Sequence, residues 1–452
     1  MSNETSAVAR FVVGTDDAEI PEHVFEHARV ALLDWFAVAA AGRDEPLVEM
    51  LIRHCDRMGG HEQASLLGRS RKTSVAHAAL VNGAASHALD YDDTLAAFLG
   101  HPSVAIFPGL LALAEWSERS GRDLLAAYLI GLEAGVFVAA CAGPEHYLAG
   151  WHGTATIGRM AAAAACARLI GLDEQQTLHA LGIAGTHASG LKRVLGTMCK
   201  PLHAGSAAQG GLVAALLARD GFTSAVDILE GPQGFLDTFG GRRDRAAVPA
   251  PGTTWAIEQL AQKYHAACHF AHSPIEAVLR IVKKMGIRVG DIESIRIHCS
   301  RVAREAAGKA EPATGLEGKF SIRYSVANAL VRGDTGMAAY TDERVDDPAV
   351  RAYMERVTVL EDDLLSAPGT AARAELVTFS GQSRELQVDV LREVPGLETK
   401  REKVGAKFVD LCEPLFGRHL TARLAQMILS LDRDMPVSRL MEEAAGGAVA
   451  ED

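Results

Sequence analysis

Apolar residues in the first 268 positions fall into long runs with helical spacing, broken by small residues and by capping signals. Pro21 stands where a first helical turn can begin, and Gly42 closes the run near Ala41. Ser74 is placed to cap a helix over 75–87, and Ser103 to cap one that ends near Gly121. Further helices are predicted over 123–142, 153–170, 173–185 and 202–219. No convincing alternation of apolar and polar residues occurs in this part. Helices so rich in Ala and Gly can approach closely, which predicts a bundle with buried central members.

The pattern changes beyond about 270. Ile295, Ile297 and Cys299 alternate with polar neighbours, as do Val357 and Val359 and the two halves of AELVTFSGQSRELQVDVL. Gly381-Gln382 is the predicted hairpin turn between those halves. Helices are expected at 274–285 and 323–332. From 400 the chain reads as helical again, most clearly over 418–431, and the terminal EEAAGGAVAED is expected to fray. The fold class is therefore mainly α with an α+β second domain. The boundaries are 1–268 helical, 269–396 α+β, and 397–452 helices that return to the first domain.

Composition narrows the function. Among 452 residues, 45 Lys and Arg face 57 Asp and Glu, a net charge of −12, so a polyanion is repelled and no nucleic-acid partner is expected. The apolar runs read as shorter than the roughly 20 residues of a bilayer span, and the N-terminus lacks a signal pattern, so no membrane partner is expected. Seven scattered cysteines without a CxxC pair fit a reducing cytoplasm rather than a disulfide or iron–sulfur scaffold. GxGxxG, GxxxxGK[ST] and GxSxG motifs are missing, which leaves acid–base chemistry by His, Lys, Tyr and Asp.

Five segments put ionisable side chains into apolar surroundings. In HALDYDDTLAAFLGHPS, Asp90, Asp92 and Asp93 crowd one loop. Their repulsion raises at least one pKa or invites a cation; helix capping is the plain alternative. In HYLAGWHGTATIG, His152 opens a helix whose positive end attracts carboxylates and keeps a histidine neutral. Tyr147 nearby is a candidate proton donor or base, against the reading of a capped helix with an aromatic staple. In GTMCKPLHAGSAAQGG, Lys200 precedes Pro201 at a helix start, where burial makes a lysine a general base or leaves it to clamp a carboxylate. The alternative is a surface lysine. In QKYHAACHFAHS, His265, Cys268, His269 and His272 have zinc-like spacing, but no HExxH or paired CxxC supports a metal and none is expected. KFSIRYS contributes Lys319 and Tyr324 before an apolar helix and carries little signal alone.

Together these segments resemble the MmgE/PrpD family, which includes 2-methylcitrate dehydratases, cis-aconitate decarboxylases and an iminodisuccinate epimerase. HALDYDDT with HPS, GWHGTATIG, KPLHAGSAAQGG, EGPQGF, the Lys-Cys-His pattern of KYHAACHFAH, and KFSIRYS follow in the family's order. The resemblance implies a helical domain built from both chain ends, an α+β lid domain, and an active site in the cleft between them. It also implies a homodimer, a small polycarboxylate substrate, and neither organic cofactor nor metal. Carried over by motif, the catalytic residues are Lys200, His101, His152, Asp90 and Tyr147. The substrate-binding residues are Thr94, His203, Lys263, Cys268, His269 and Tyr324. Leu95 stands where the dehydratases carry Trp, KYHAAC lacks their proline, and one extra residue separates Thr94 from His101. These departures bear on substrate rather than on family. HYLAGWH and GTMCKP resemble the epimerase, in which a tyrosine and a lysine act on opposite faces. The expected reaction is α-proton abstraction with loss of water. Epimerisation, decarboxylation, or carboxylate binding by an inactive pocket are the alternatives.

Overall fold

The computed structural model describes residues 3–242, 248–365 and 370–446; of the segment 442–452, expected to fray, residues 442–446 are the end of helix Val437–Gly446 and the rest lies outside the described residues. The chain divides into two compact units, Met1–Gln262 with Gly396–Asp452, and Lys263–Pro395. It is mainly α with an α+β part, as the periodicities predict. The second unit begins at Lys263, a few residues before the expected boundary.

The first unit is helical. Glu22–Ala41 follows Pro21 and is buried along nearly its whole length, packed on the C-terminal helix Leu397–Leu429. Ser74 caps Val75–Ala88 by accepting from the His77 N–H. Ser103 does not cap: the next helix, Pro102–Trp116, starts two residues earlier than a Ser103 cap would place it, with His101 as its N-cap, and frees the serine hydroxyl for another partner. Gly121–Leu148 is longer than expected because Ser120 and Asp123 close a capping box at its start, with a kink at Gly143 near its end. By length and composition this helix could cross a membrane, which corrects the reading that every apolar run is too short. It is a core helix here, with 89% of its apolar window buried. Gly153–Ile170 ends at Gly171 in the left-handed region, and Cys199–Arg219 begins three residues before the expected 202.

Small residues set the helix spacing. A Cβ added to Gly83 would come within 2.7 Å of the Gly205 Cα, and one added to Gly205 within 2.2 Å of the Leu80 carbonyl oxygen. This contact brings the end of Val75–Ala88 and the start of Cys199–Arg219 to the same side of the bundle.

In the second unit a four-stranded mixed sheet has the order Val357–Glu361, Ile292–Cys299, Ala372–Thr378, Ser383–Val388. The first pair is parallel and the others antiparallel. Ile295, Ile297 and Cys299, predicted to share a face, are all fully buried. Helix His269–Met285 packs on the last two strands, and Gly381 turns the hairpin at φ 80°.

Gly205→Ala removes a flexible helical glycine, a change worth about 1 kcal/mol of stabilisation on an open helix. Here overpacking wins, and the variant is expected to lose about 1–3 kcal/mol in urea unfolding. An unchanged or raised midpoint would show that the two backbones part without loss.

Candidate active site

The candidate site is built on the loop between Val75–Ala88 and Pro102–Trp116. Asp90 adopts φ 53°, a left-handed conformation that aspartate tolerates better than most residues. Thr94 exchanges two backbone hydrogen bonds with Ala261, at 2.9 and 3.0 Å. The His101 N–H donates to Thr154 Oγ1 at 3.1 Å, which fastens the loop's end to the start of Gly153–Ile170.

The three aspartates meet three different partners. Asp90 Oδ1 lies 2.5 Å from Lys200 Nζ, with both side chains about one-sixth exposed. Asp92 is buried between two imidazoles: His87 Nδ1 is 2.9 Å from Oδ1 and His101 Nδ1 is 2.9 Å from Oδ2. Burial pushes its carboxyl upward, but the two rings outweigh that and hold it well below the usual carboxylate range. Asp93 is pushed up to about 8, first by burial and then by the charges of Asp34 and Asp92. The Ser103 hydroxyl donates to Asp93 Oδ2, and Tyr128 lies 2.7 Å behind that hydroxyl. The expected repulsion within the aspartate cluster is thus met by a neutral Asp93.

Around these acids stand neutral histidines. Burial pulls His87 down to about 4, with Lys200 adding to the effect. Burial also holds His152 well below its usual range, helped by His87, His101, Lys200 and His203. His152 Nδ1 lies 3.0 Å from His203 Nδ1, so one ring donates and the other accepts. The rings of His87 and His101 are 4.7 Å apart, and those of His87 and His152 are 6.3 Å apart.

A second buried layer pins the loop. Lys407 Nζ from the C-terminal helix lies 2.7 Å from Asp34 Oδ1 and donates to the Tyr91 carbonyl at 2.7 Å. Lys400 donates to the Glu258 carbonyl at 2.8 Å, and burial pulls it down to about 8.

Of the residues expected at the site, Asp90, His101, His152, Lys200 and His203 therefore cluster in the first unit, with Thr94 on the same loop. Tyr147 lies on the last turn of Gly121–Leu148, where Lys192 Nζ sits 3.5 Å over its ring. Lys263, Cys268, His269 and Tyr324 belong to the second unit. Lys263 is buried there, and the Cys268 N–H donates to the Lys319 carbonyl at 2.8 Å. His269 and His265 flank His272, with ring centroids 4.7 and 4.9 Å away. Tyr324 is fully buried and donates its hydroxyl to the Ala339 carbonyl at 2.5 Å. Its hydroxyl proton is thereby committed to a backbone carbonyl of the core.

Among the described residues, the set of donors close enough to share a cation is His87, Asp92 and His101, whose ligand atoms lie within 4.8 Å of one another. It is not the His265–His272 segment whose spacing looked zinc-like. His87, Ser103 and Tyr128 were not singled out as site residues. His87 had one available signal, its position in the last helical turn five residues before Asp92.

Comparison with known proteins agrees with this architecture. The model of the MmgE/PrpD N-terminal domain matches residues 6–247, and that of the MmgE/PrpD C-terminal domain matches 265–433. The chain belongs to the MmgE/PrpD family. It is 27% identical to the cis-aconitate decarboxylase-like protein oryM of Aspergillus oryzae, over 98% of both chains. It is 25% identical to a cis-aconitate decarboxylase of Aspergillus terreus, over 95% of this chain and 93% of that one. A mitochondrial 2-methylcitrate dehydratase of Yarrowia lipolytica is 29% identical over 62% of this chain and 57% of its own.

The raised Asp93 carboxyl makes a pH prediction. Folded Asp93 holds a proton that the unfolded chain releases near 3.8. Its neutral form thus favours folding fully below that value, and the benefit is lost as pH rises toward 8. Asp93→Asn mimics the neutral form. The melting temperature of the wild type minus that of the variant is expected to fall between pH 5 and 8. A flat difference would mean that Asp93 is already ionised in the folded protein.

Proposed function

We propose that this chain is a lyase acting on a small di- or tricarboxylate by acid–base chemistry at Lys200, Asp90, His101 and His152. The observation that carries the reading is the Lys200–Asp90 pair standing in one cluster with neutral, buried imidazoles. A polycarboxylate needs cationic and N–H donors without like charge, and an enolate formed from it needs the same groups as its charge grows. Lys200 supplies the charged donor. His152 and His203 supply uncharged ones, and His101 exchanges the proton.

Between the possible eliminations, decarboxylation ranks first. What supports it is that the relatives matching nearly end to end are named as cis-aconitate decarboxylases or decarboxylase-like. The carbon–carboxylate bond breaks, its electron pair enters the neighbouring enoate system, and a proton from the site quenches the carbanion as CO₂ leaves. Dehydration, the reaction expected from the sequence, stands second, supported by the dehydratase relative over part of the chain. There the base removes an α-proton and hydroxide leaves as water.

Proton NMR in D₂O with cis-aconitate, 2-methylcitrate and other C4 to C7 di- and tricarboxylates tests the reading. CO₂ release with deuterium in the product establishes decarboxylation. A new alkene from a hydroxy acid, without CO₂, moves the assignment to dehydration. Exchange without net product moves it to epimerisation. Lys200→Ala and His101→Gln are each expected to lower turnover by about 10²–10⁴-fold. Turnover unaffected by both variants would remove the cluster from the chemistry.

A further inference from the structure

One carboxylate serves two imidazoles. Asp92 Oδ1 is hydrogen-bonded to His87 Nδ1 at 2.9 Å, and Oδ2, which has no hydrogen bond of its own, lies 2.9 Å from His101 Nδ1. His101 Nδ1 also lies 2.8 Å from the Asp93 carbonyl oxygen. An ionised carboxylate and a carbonyl can only accept. A ring nitrogen facing two such oxygens must carry a proton, so His101 is protonated at Nδ1. The same reasoning applies to His87 Nδ1, which faces an oxygen of the same carboxylate. His87 Nε2 is then an acceptor; it is buried and has no hydrogen-bond partner.

We propose that Asp92 is a positioning residue that fixes His87 as the Nδ1–H tautomer and, together with the Asp93 carbonyl, holds His101 in the same form. Nε2 of His101 thereby becomes the nitrogen that exchanges a proton with substrate. The tautomers follow from the hydrogen-bond geometry with Asp92 ionised, whereas the catalytic consequence rests on the acid–base role proposed for His101. Asp92 does its work from inside the protein, 1% exposed, and touches no reacting atom itself. A divalent cation shared by the same three side chains is the exclusive alternative, because it would need both Nδ1 atoms unprotonated.

Substituting Asp92→Asn separates the two rings. An amide offers one accepting oxygen and one donating nitrogen in place of two accepting oxygens. His101, still held by the Asp93 carbonyl, keeps its Nδ1 proton and faces the amide oxygen. His87 then faces an N–H and must move its own proton to Nε2.

Magic-angle-spinning 15N NMR of the full chain with labelled histidine reads this directly. Differences against His87→Gln and His101→Gln assign the two rings among the 17 histidines. Under basic conditions the wild type is expected to show both rings protonated at Nδ1 only, with Asp92→Asn switching His87 to Nε2–H and leaving His101 unchanged. Its kcat on the substrate found above is expected to fall at least about tenfold, less than the ~10²–10⁴-fold loss for His101→Gln, with KM changed only slightly. Either wild-type ring protonated at Nε2, or metal analysis finding a stoichiometric cation with both Nδ1 atoms bare, would overturn the proposal. If the Asn variant does not fold, the wild-type spectrum decides alone. If no substrate turns over, the spectrum still decides the tautomers, so failure of the lyase reading is distinguishable.

Discussion

Three aspartates within four residues cannot all stay charged in a dry loop, and the rest of the site follows from how each is relieved. Asp90 receives a full opposite charge from Lys200. Asp92 receives the ring N–H of His87 and lies beside the ring of His101. Asp93 gives up its charge and takes a hydroxyl partner instead. The three solutions point in different directions, so the intervening backbone has little freedom left. Tyr91, between the first two, is held through its carbonyl by Lys407. A buried charge without a partner costs several kcal/mol, so each of these contacts opposes movement of the loop.

That constraint gives the histidines their character. Burial alone would make His87, His152 and His203 neutral. A ring without an orienting partner could hold its proton on either nitrogen. The Asp92 carboxylate removes the ambiguity for His87 and the Asp93 carbonyl for His101, and the contact between His152 and His203 makes each of those tautomers depend on the other. On the proposed reading, a carboxylate arriving here would meet uncharged imidazoles and an ammonium already paired with Asp90.

The helical scaffold makes this possible by bringing backbones close. Gly83 against Gly205 sets Asp90 and Lys200 at the same end of two neighbouring helices, although they are 110 positions apart in the chain. The C-terminal helix adds the cations of the second layer, Lys400 and Lys407, from still further away. The site in the first unit is therefore assembled from its beginning, its middle and its end.

Local physics determined much of this from the sequence alone. Capping by Ser74, the glycine stop at 42 and the alternation at Ile295 to Cys299 act over a few residues and are legible there. So was the strain of the aspartate cluster, since adjacent like charges repel in any fold. Asp90, Lys200, His101 and His152 were legible because each interrupts an apolar run at a helix end. Tertiary structure alone decided which aspartate is neutral, because that depends on burial and then on the charge of Asp34, brought in by another helix. It alone revealed His87, which resembles any polar residue in a last helical turn until Asp92 folds back onto it. It also sent Tyr324 into the second unit's core, where one backbone carbonyl claims its proton. Partners distant in sequence leave no periodic trace, so a buried ionisable group's protonation is written only when the chain has closed around it.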